Sequence, residues 1–591
     1  MSRFDPHSWC DDRQAVTTHM DLDWRVDFAA RTIAGRASLR FTAPADGPLD
    51  LDARGLAIDE VTTPTGEVVP WAIAETDDIR GDRLRLDLPA GTTGVTISYV
   101  TGAGAMALGW LEPQQTAGGA HPFMFTQCQP IHARTIVPCQ DTPRHRVTYT
   151  ANVTVPAPLV AVMSAAGTGS VPADGGGTTW RFEMPQAIPT YLLALAVGNL
   201  DQADLGPRSR VYAEPETVEQ AAWEFAGVES MIDAAERLFG PYVWDRFDML
   251  IMPPAFPYGG MENPRLTFLT PTLLAGDRSQ VNVVAHELAH SWTGNLVTNA
   301  TMNDFWLNEG FTVYAERRIL EELHGTDYAD LQGVIRRNAL QIHLDQFGPD
   351  SEFTKLRTEL AGIDPDGVYS LVPYEKGAQF VLLLEDAIGR RKFDAFLLDY
   401  IDAFRFQSIT TGEFIDFLER RLPGVLDRID GRRWIYEPGM PGNELKVASA
   451  RVDRIRELAD GWTGGARPAP DDAATWTPDE WQLYLQDLPR KLSADDCRWL
   501  DETFGLTGKG NYEILVEWLT IAAGSAYAPV LPRVREVLTN VGRMKYLKPL
   551  YGALAGNPET VAFAREVFAD VADSYHPLSR GSVAGIIGKT G

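Results

Sequence analysis

The chain has 591 residues, 45% of them apolar and 23% charged. That is globular usage, and a chain of this length is expected to hold three to five domains of about 100–200 residues each. With 53 Lys+Arg against 80 Asp+Glu the formal charge is −27, a surface that repels phosphate backbones and argues against a nucleic-acid partner.

The start, Met1-Ser2-Arg3-Phe4-Asp5-Pro6-His7, lacks the apolar segment of a secretory signal. The most apolar stretch, 191–197, is far short of the roughly 20 residues a membrane helix needs. Cys10, Cys128, Cys139 and Cys497 cannot staple a chain this size. Reduced thiols in a soluble, cytoplasmic protein without membrane insertion are expected, with a Cys128–Cys139 hairpin bridge as the alternative. Up to about residue 200, runs such as 84–88, 95–99 and 147–155 alternate apolar and polar residues between Gly and Pro breaks. This predicts many short, mostly antiparallel strands. The period changes beyond about residue 215. One helix is expected over 218–239, and amphipathic helices follow to about 436. The breaker 437–443 reads as a linker and 464–472 as a surface loop; from there stacked helices are expected, for example 512–523, 530–541 and 558–572.

The informative stretch is Ser279-Gln-Val-Asn-Val-Val-Ala-His286-Glu287-Leu-Ala-His290, with Ser279 as the expected N-cap. His286 and His290 are an i, i+4 pair, about 40° apart around a helix, so both imidazoles leave one face and reach one ion. Glu287, about 100° away, misses the metal and reaches a water beside it, the position of a general base. Catalytic zinc needs a third ligand and an open position. Glu309, on the next expected helix, offers one; Asp304 and Glu316 are the alternatives, and Glu316 also suits an acceptor for a ligand imidazole.

HELAHSWTGNLVTN followed by FWLNEGFTVYAER is similar to the M1 family of zinc aminopeptidases, nearest its leukotriene A4 hydrolase branch. The likeness continues in FTQCQPIHARTIVPCQDTP (125–143), PYGGMENP (257–264), DPDGVYSLVPYEKG (364–377) and GRMKYLKPL (542–550). It implies an α+β multidomain fold: a β-saddle domain (1–200), a thermolysin-like, mostly α catalytic domain (201–440), then a linker and α-helical domain (441–591). It also implies one zinc ion per chain, held by His286, His290 and Glu309, and hydrolysis of short peptides, tripeptides among them, from the N-terminus. An epoxide hydrolase acting on a fatty-acid epoxide is the alternative, and a monomer is expected.

Gly259, Gly260, Met261 and Glu262 resemble the family's exopeptidase motif, whose Glu pairs with the substrate ammonium. Tyr374 resembles the tyrosine that hydrogen-bonds the oxyanion. Gln127 and Gln129 are expected on one face of a strand, with Gln129 holding the substrate's N-terminal part, and Tyr258 is expected to line the cleft. Arg543 and Lys545 match residues that bind a substrate carboxylate. Two residues apart, they converge only on a loop or helix start. Asp366 and Tyr369 match positions used in epoxide hydrolysis, and Gly367 is expected to loosen Asp366.

Overall fold

The computed structural model describes residues 5–446 and 449–588; the tetrapeptide 1–4, on which part of the leader reading falls, lies outside them. The N-terminal region is built on a seven-stranded sheet, in the order Ala166–Ala173, Gly177–Ile188, Val147–Pro156, Thr17–Asp27, Thr32–Phe41, Gly94–Thr101 and Leu56–Thr62. Only Thr17–Asp27 and Val147–Pro156 run parallel to each other; the other neighbours are antiparallel. Alternation decides which side is buried: Met20, Leu22, Trp24 and Val26 point inward and their neighbours outward. A three-stranded and a four-stranded sheet complete this region.

A five-stranded sheet leads into the central region. Ser209–Ala213, Phe247–Ile251 and Leu266–Leu269 are parallel, and the two-residue strand Gly260–Met261 forms one edge. The expected helix over 218–239 is two helices, Val218–Glu224 and Val228–Phe239. The break falls at 225–227, where Gly227 carries the entry to the second helix and Phe225 is buried. Ser279 is not an N-cap. Gln280 holds that position, while the Ser279 hydroxyl donates to Asp277 at 2.6 Å and accepts from Asn511 Nδ2 at 2.7 Å. The loop entering the HExxH helix is thereby tied to the C-terminal region.

From Ala450 onward the chain is helical. Its core is separate from the one shared by the first two regions, and Leu331, Val334 and Ile335 of the helix Thr326–Phe347 join it. The other end of that helix packs Leu340 and Leu344 against Val372. The helix thus bridges two cores. All four cysteines are buried free thiols. No helix of the described residues is long and apolar enough to cross a membrane.

Candidate active site

His286 and Glu287 lie on the helix Val281–Ala289, and His290 caps its C-terminal end. Glu309 lies in the first turn of Trp306–His324, a helix whose residues 306–320 are all buried. The two imidazole Nε2 atoms are 3.2 Å apart, and Glu309 Oε2 lies 3.4 Å from that of His286 and 3.7 Å from that of His290. Donors bound tetrahedrally to one zinc ion at about 2.0–2.1 Å stand about 3.4 Å from one another. Glu309 Oε2 is also buried without a hydrogen-bond partner. Two imidazole nitrogens and an orphaned carboxylate oxygen at this spacing fit zinc.

The atoms behind these donors are engaged. His286 Nδ1 is 2.9 Å from Glu316 Oε2, and His290 Nδ1 is 3.2 Å from both the Thr293 carbonyl and the Thr312 hydroxyl. These partners orient the imidazoles. Asp304 is excluded as a ligand: its oxygens accept from Thr411 N, Thr411 Oγ1 and Thr301 Oγ1 at 2.8–3.0 Å.

Glu262, Glu287, Glu309 and Glu316 are all buried here, a charge excess that calls for a cation. Burial, then the charge of Glu309, pushes Glu262 up to about 8. Burial likewise holds Glu287 well above the usual carboxylate range, and the positive charge of His286 only partly offsets it. Burial opposes a proton on His286, but Glu309 and Glu316 outweigh it and raise this group; burial and the charge of His286 lower His290.

Oxygens of Glu262 and Glu287 lie within 4.8 Å of each other and of a His290 nitrogen. A Cβ on Gly260 would stand 2.2 Å from Glu287 Oε1, so the edge strand reaches the carboxylate only as glycine. A Cβ on Gly259 would stand 2.7 Å from Arg543 Nη2, which brings the C-terminal region to the bend that enters this strand. Asn295 Nδ2 donates to the Glu262 carbonyl at 2.7 Å. Gln127 and Gln129 are not on a strand, because Phe123–Thr126 ends before them. They still meet the motif: Gln127 Nε2 lies 3.1 Å from Met261 Sδ, and Gln129 Nε2 donates to Glu262 Oε1 at 3.1 Å.

Tyr374 lies in a single π-turn, Val372–Lys376, that opens the helix Gly377–Ile388. Its ring stacks 6.3 Å from that of His286. The turn is held on three sides. Glu375 pairs with Arg317, Lys376 Nζ donates to the Thr354 and Glu437 carbonyls at 2.8 and 3.0 Å, and Gly377 meets Gly310 backbone to backbone. A Cβ on either glycine would stand 2.8 Å from the other's Cα. Tyr369 is 56% exposed, its ring 5.9 Å from that of Tyr374. The charges of Asp366 and Tyr369 both act on the Tyr258 phenol, so the three share one side of the site.

Asp366 is not loosened by Gly367. It sits in the turn Pro365–Val368, capped by the Asp364 side chain, and its carboxylate is 2.7 Å from His132 Nε2. His132 has no local signal in the sequence, since its partner lies in another region of the chain. Arg543 and Lys545 are at a helix start, as their spacing requires: Arg543 is the N-cap of Met544–Ala555. Lys545 Nζ donates to Glu513 at 2.6 Å, while Arg543 donates to Thr272 and Tyr546 at 3.2 and 3.0 Å.

Known proteins agree with this arrangement region by region. Residues 16–192 match the peptidase M1 N-terminal domain, 223–434 the peptidase family M1 domain, and 476–587 the leukotriene A4 hydrolase C-terminal domain. The chain is 36% identical to leucine aminopeptidase 2 of Neosartorya fischeri, covering 98% of this chain and 97% of that one. It is 38% identical to leukotriene A-4 hydrolase of Xenopus laevis, covering 98% of each. The structure of yeast LTA4 hydrolase in complex with Bestatin superposes with a TM-score of 0.92 at 32% identity, over 99% of this chain and 97% of that one. With three regions matched in order and relatives covered end to end, the chain belongs to peptidase family M1, with a C-terminal domain of the leukotriene A4 hydrolase type.

Proposed function

We propose that this protein removes single residues from the N-terminus of short peptides, tripeptides among them, with one zinc ion per chain on His286, His290 and Glu309. The observation that carries the reading is the triangle of donor atoms beside two further buried carboxylates, Glu287 and Glu262. Bound zinc would supply Lewis acidity and acidify water toward a pKa of about 7. Glu287 takes the proton of the attacking water and returns it to the leaving amine; its carboxylate, beside His290 and against Gly260, is placed for both halves of that transfer. The Tyr374 phenol donates to the oxyanion.

Glu262, steadied by Gln129 and Asn295, pairs with the substrate ammonium, which restricts cleavage to free N-termini. Gln127 holds the motif strand from behind, and Gly259, Gly260 and Met261 let it run beside the substrate backbone. Tyr258, Asp366 and Tyr369 line the cleft, and Arg543 and Lys545 place positive charge at its far end. The domain boundaries are proposed near residues 200 and 440, the state as a monomer and the location as the cytoplasm.

The test is hydrolysis of Arg-Gly-Asp, free and N-acetylated, read by mass spectrometry before and after chelation and zinc return. Loss of one N-terminal residue from the free peptide alone, abolished by chelator and restored by zinc, is expected. Cleavage of the acetylated peptide would make it an endopeptidase and remove Glu262 from its role. A second reading, hydrolysis of a fatty-acid epoxide, is favoured by the anchored Asp366 and the exposed Tyr369 beside Tyr374. Incubation with such an epoxide and product analysis decides it; unchanged epoxide beyond the zinc-free control rules it out.

A further inference from the structure

One cation of the cleft has no partner. Arg336 lies on the bridging helix Thr326–Phe347, half-buried. Its neighbours one turn away on the same face fix where it looks. Gln332 reaches Asn282 on the HExxH helix at 3.5 Å, and Leu340 packs against Val372 of the π-turn that carries Tyr374. The groups whose charges act on Arg336 are Glu316, Glu375, Glu513 and Tyr369. They span the cleft from the acceptor behind His286 to the carboxylate that holds Lys545. Arg336 makes no hydrogen bond or ion pair among the described residues.

The other cations here are held by partners, although Arg543 keeps a buried Nε without one. Arg317 pairs with Glu375, and Lys545 with Glu513. Glu513 also accepts from Tyr546 at 2.9 Å and Gln482 at 3.2 Å. Arg543 is fixed on Thr272 and Tyr546, 4.0 Å from Glu513. A guanidinium presents a planar fork of donors that matches a carboxylate, and one left unpaired beside a substrate path is a recognition group.

We propose that Arg336 is a specificity-determining residue that pairs with a carboxylate on the leaving side of the scissile bond. This deepens the aminopeptidase reading and rests on it. The carboxylate has two sources, the peptide's own C-terminus or an acidic side chain near it, and both present the same two oxygens. The family's expected carboxylate site, Arg543 with Lys545, then acts with Lys545 largely neutralised by Glu513, and Arg336 supplies the charge it lacks.

The experiment compares kcat/KM of zinc-loaded wild type, R336Q and R336K within matched peptide pairs. Leu-Gly-Gly against its C-terminal amide reads the main-chain carboxylate; Leu-Gly-Asp-amide against Leu-Gly-Asn-amide reads the side chain. The preference for the anionic member falls about tenfold in R336Q in at least one pair, through KM, and R336K restores part of it. The pair that responds names the source. Equal preferences in wild type and R336Q in both pairs overturn the assignment while leaving the aminopeptidase reading in place. An equal loss on both members of each pair overturns it too, because that marks a structural role. A zinc-loaded wild type that cleaves none of the four peptides overturns both readings.

Discussion

On the catalytic-domain wall of the cleft, the proposed chemical groups are held mostly by contacts close to the backbone, Glu287 against Gly260 and Glu309 and Tyr374 through Gly310 and Gly377, with the His286 imidazole on the buried Glu316 carboxylate. On the C-terminal wall the charged groups are long side chains steadied by one another: Lys545 and Tyr546 on Glu513, Arg543 on Tyr546. The first wall tolerates almost no displacement, as bond-making requires. The second can be retuned by exchanging charges without disturbing the first, and that is where substrate choice is expected to vary.

Breaking the rigid wall gives the largest effects. Glu287→Gln removes the base without changing shape and lowers kcat by about 10²–10⁴-fold. A tripeptide assay checks it with metal analysis of the variant, and a loss under tenfold would remove Glu287 from its role. Tyr374→Phe withdraws one donor and costs about 10²–10³-fold in kcat with KM little changed; a loss confined to KM would assign Tyr374 to binding. Glu316→Gln loosens the His286 imidazole and weakens zinc affinity by about 10–100-fold, read by competition with a chelator.

The smallest effect lies where the C-terminal region meets the N-terminal sheets. His576 packs its ring 5.9 Å from that of Phe125, and its Nδ1 accepts from Leu578 N at 3.3 Å. Burial lowers its pKa from 6.5 to about 4. The unfolded chain therefore binds a proton between these values and the folded one does not, so stability is lost as pH falls from 6.5 toward 4. A deficit on the order of 1 kcal/mol in wild type relative to His576→Phe, opening over that window in urea titrations, is expected. Parallel pH profiles would show that His576 does not titrate this contact.

The rigid wall was also the legible one. An i, i+4 histidine pair with the next helix behind it specifies where three donors meet, because helix geometry is local. Gly260 opens an edge strand and Gly259 precedes it in the bend that leads in. Legibility failed where contacts are long in sequence. Gln127 and Gln129 were expected to share a strand face, yet they reach Met261 and Glu262 from beyond the strand end. His132 meets Asp366, and Lys545 meets Glu513, only because separate regions fold against each other. Arg336 stood in an ordinary amphipathic stretch, and nothing local distinguishes it from its exposed neighbour Arg337. The break at 225–227 was missed because apolar spacing continues through it.

The touching glycines, Gly310 and Gly377, bear on how such an enzyme can change. Each follows a residue of the chemical centre by one or three positions, so an added methyl at either would push a metal donor and a phenol apart together. The two cannot drift separately. A lineage altering this seam would have to replace both sides at once, whereas the charged end of the cleft is open to single, stepwise exchange.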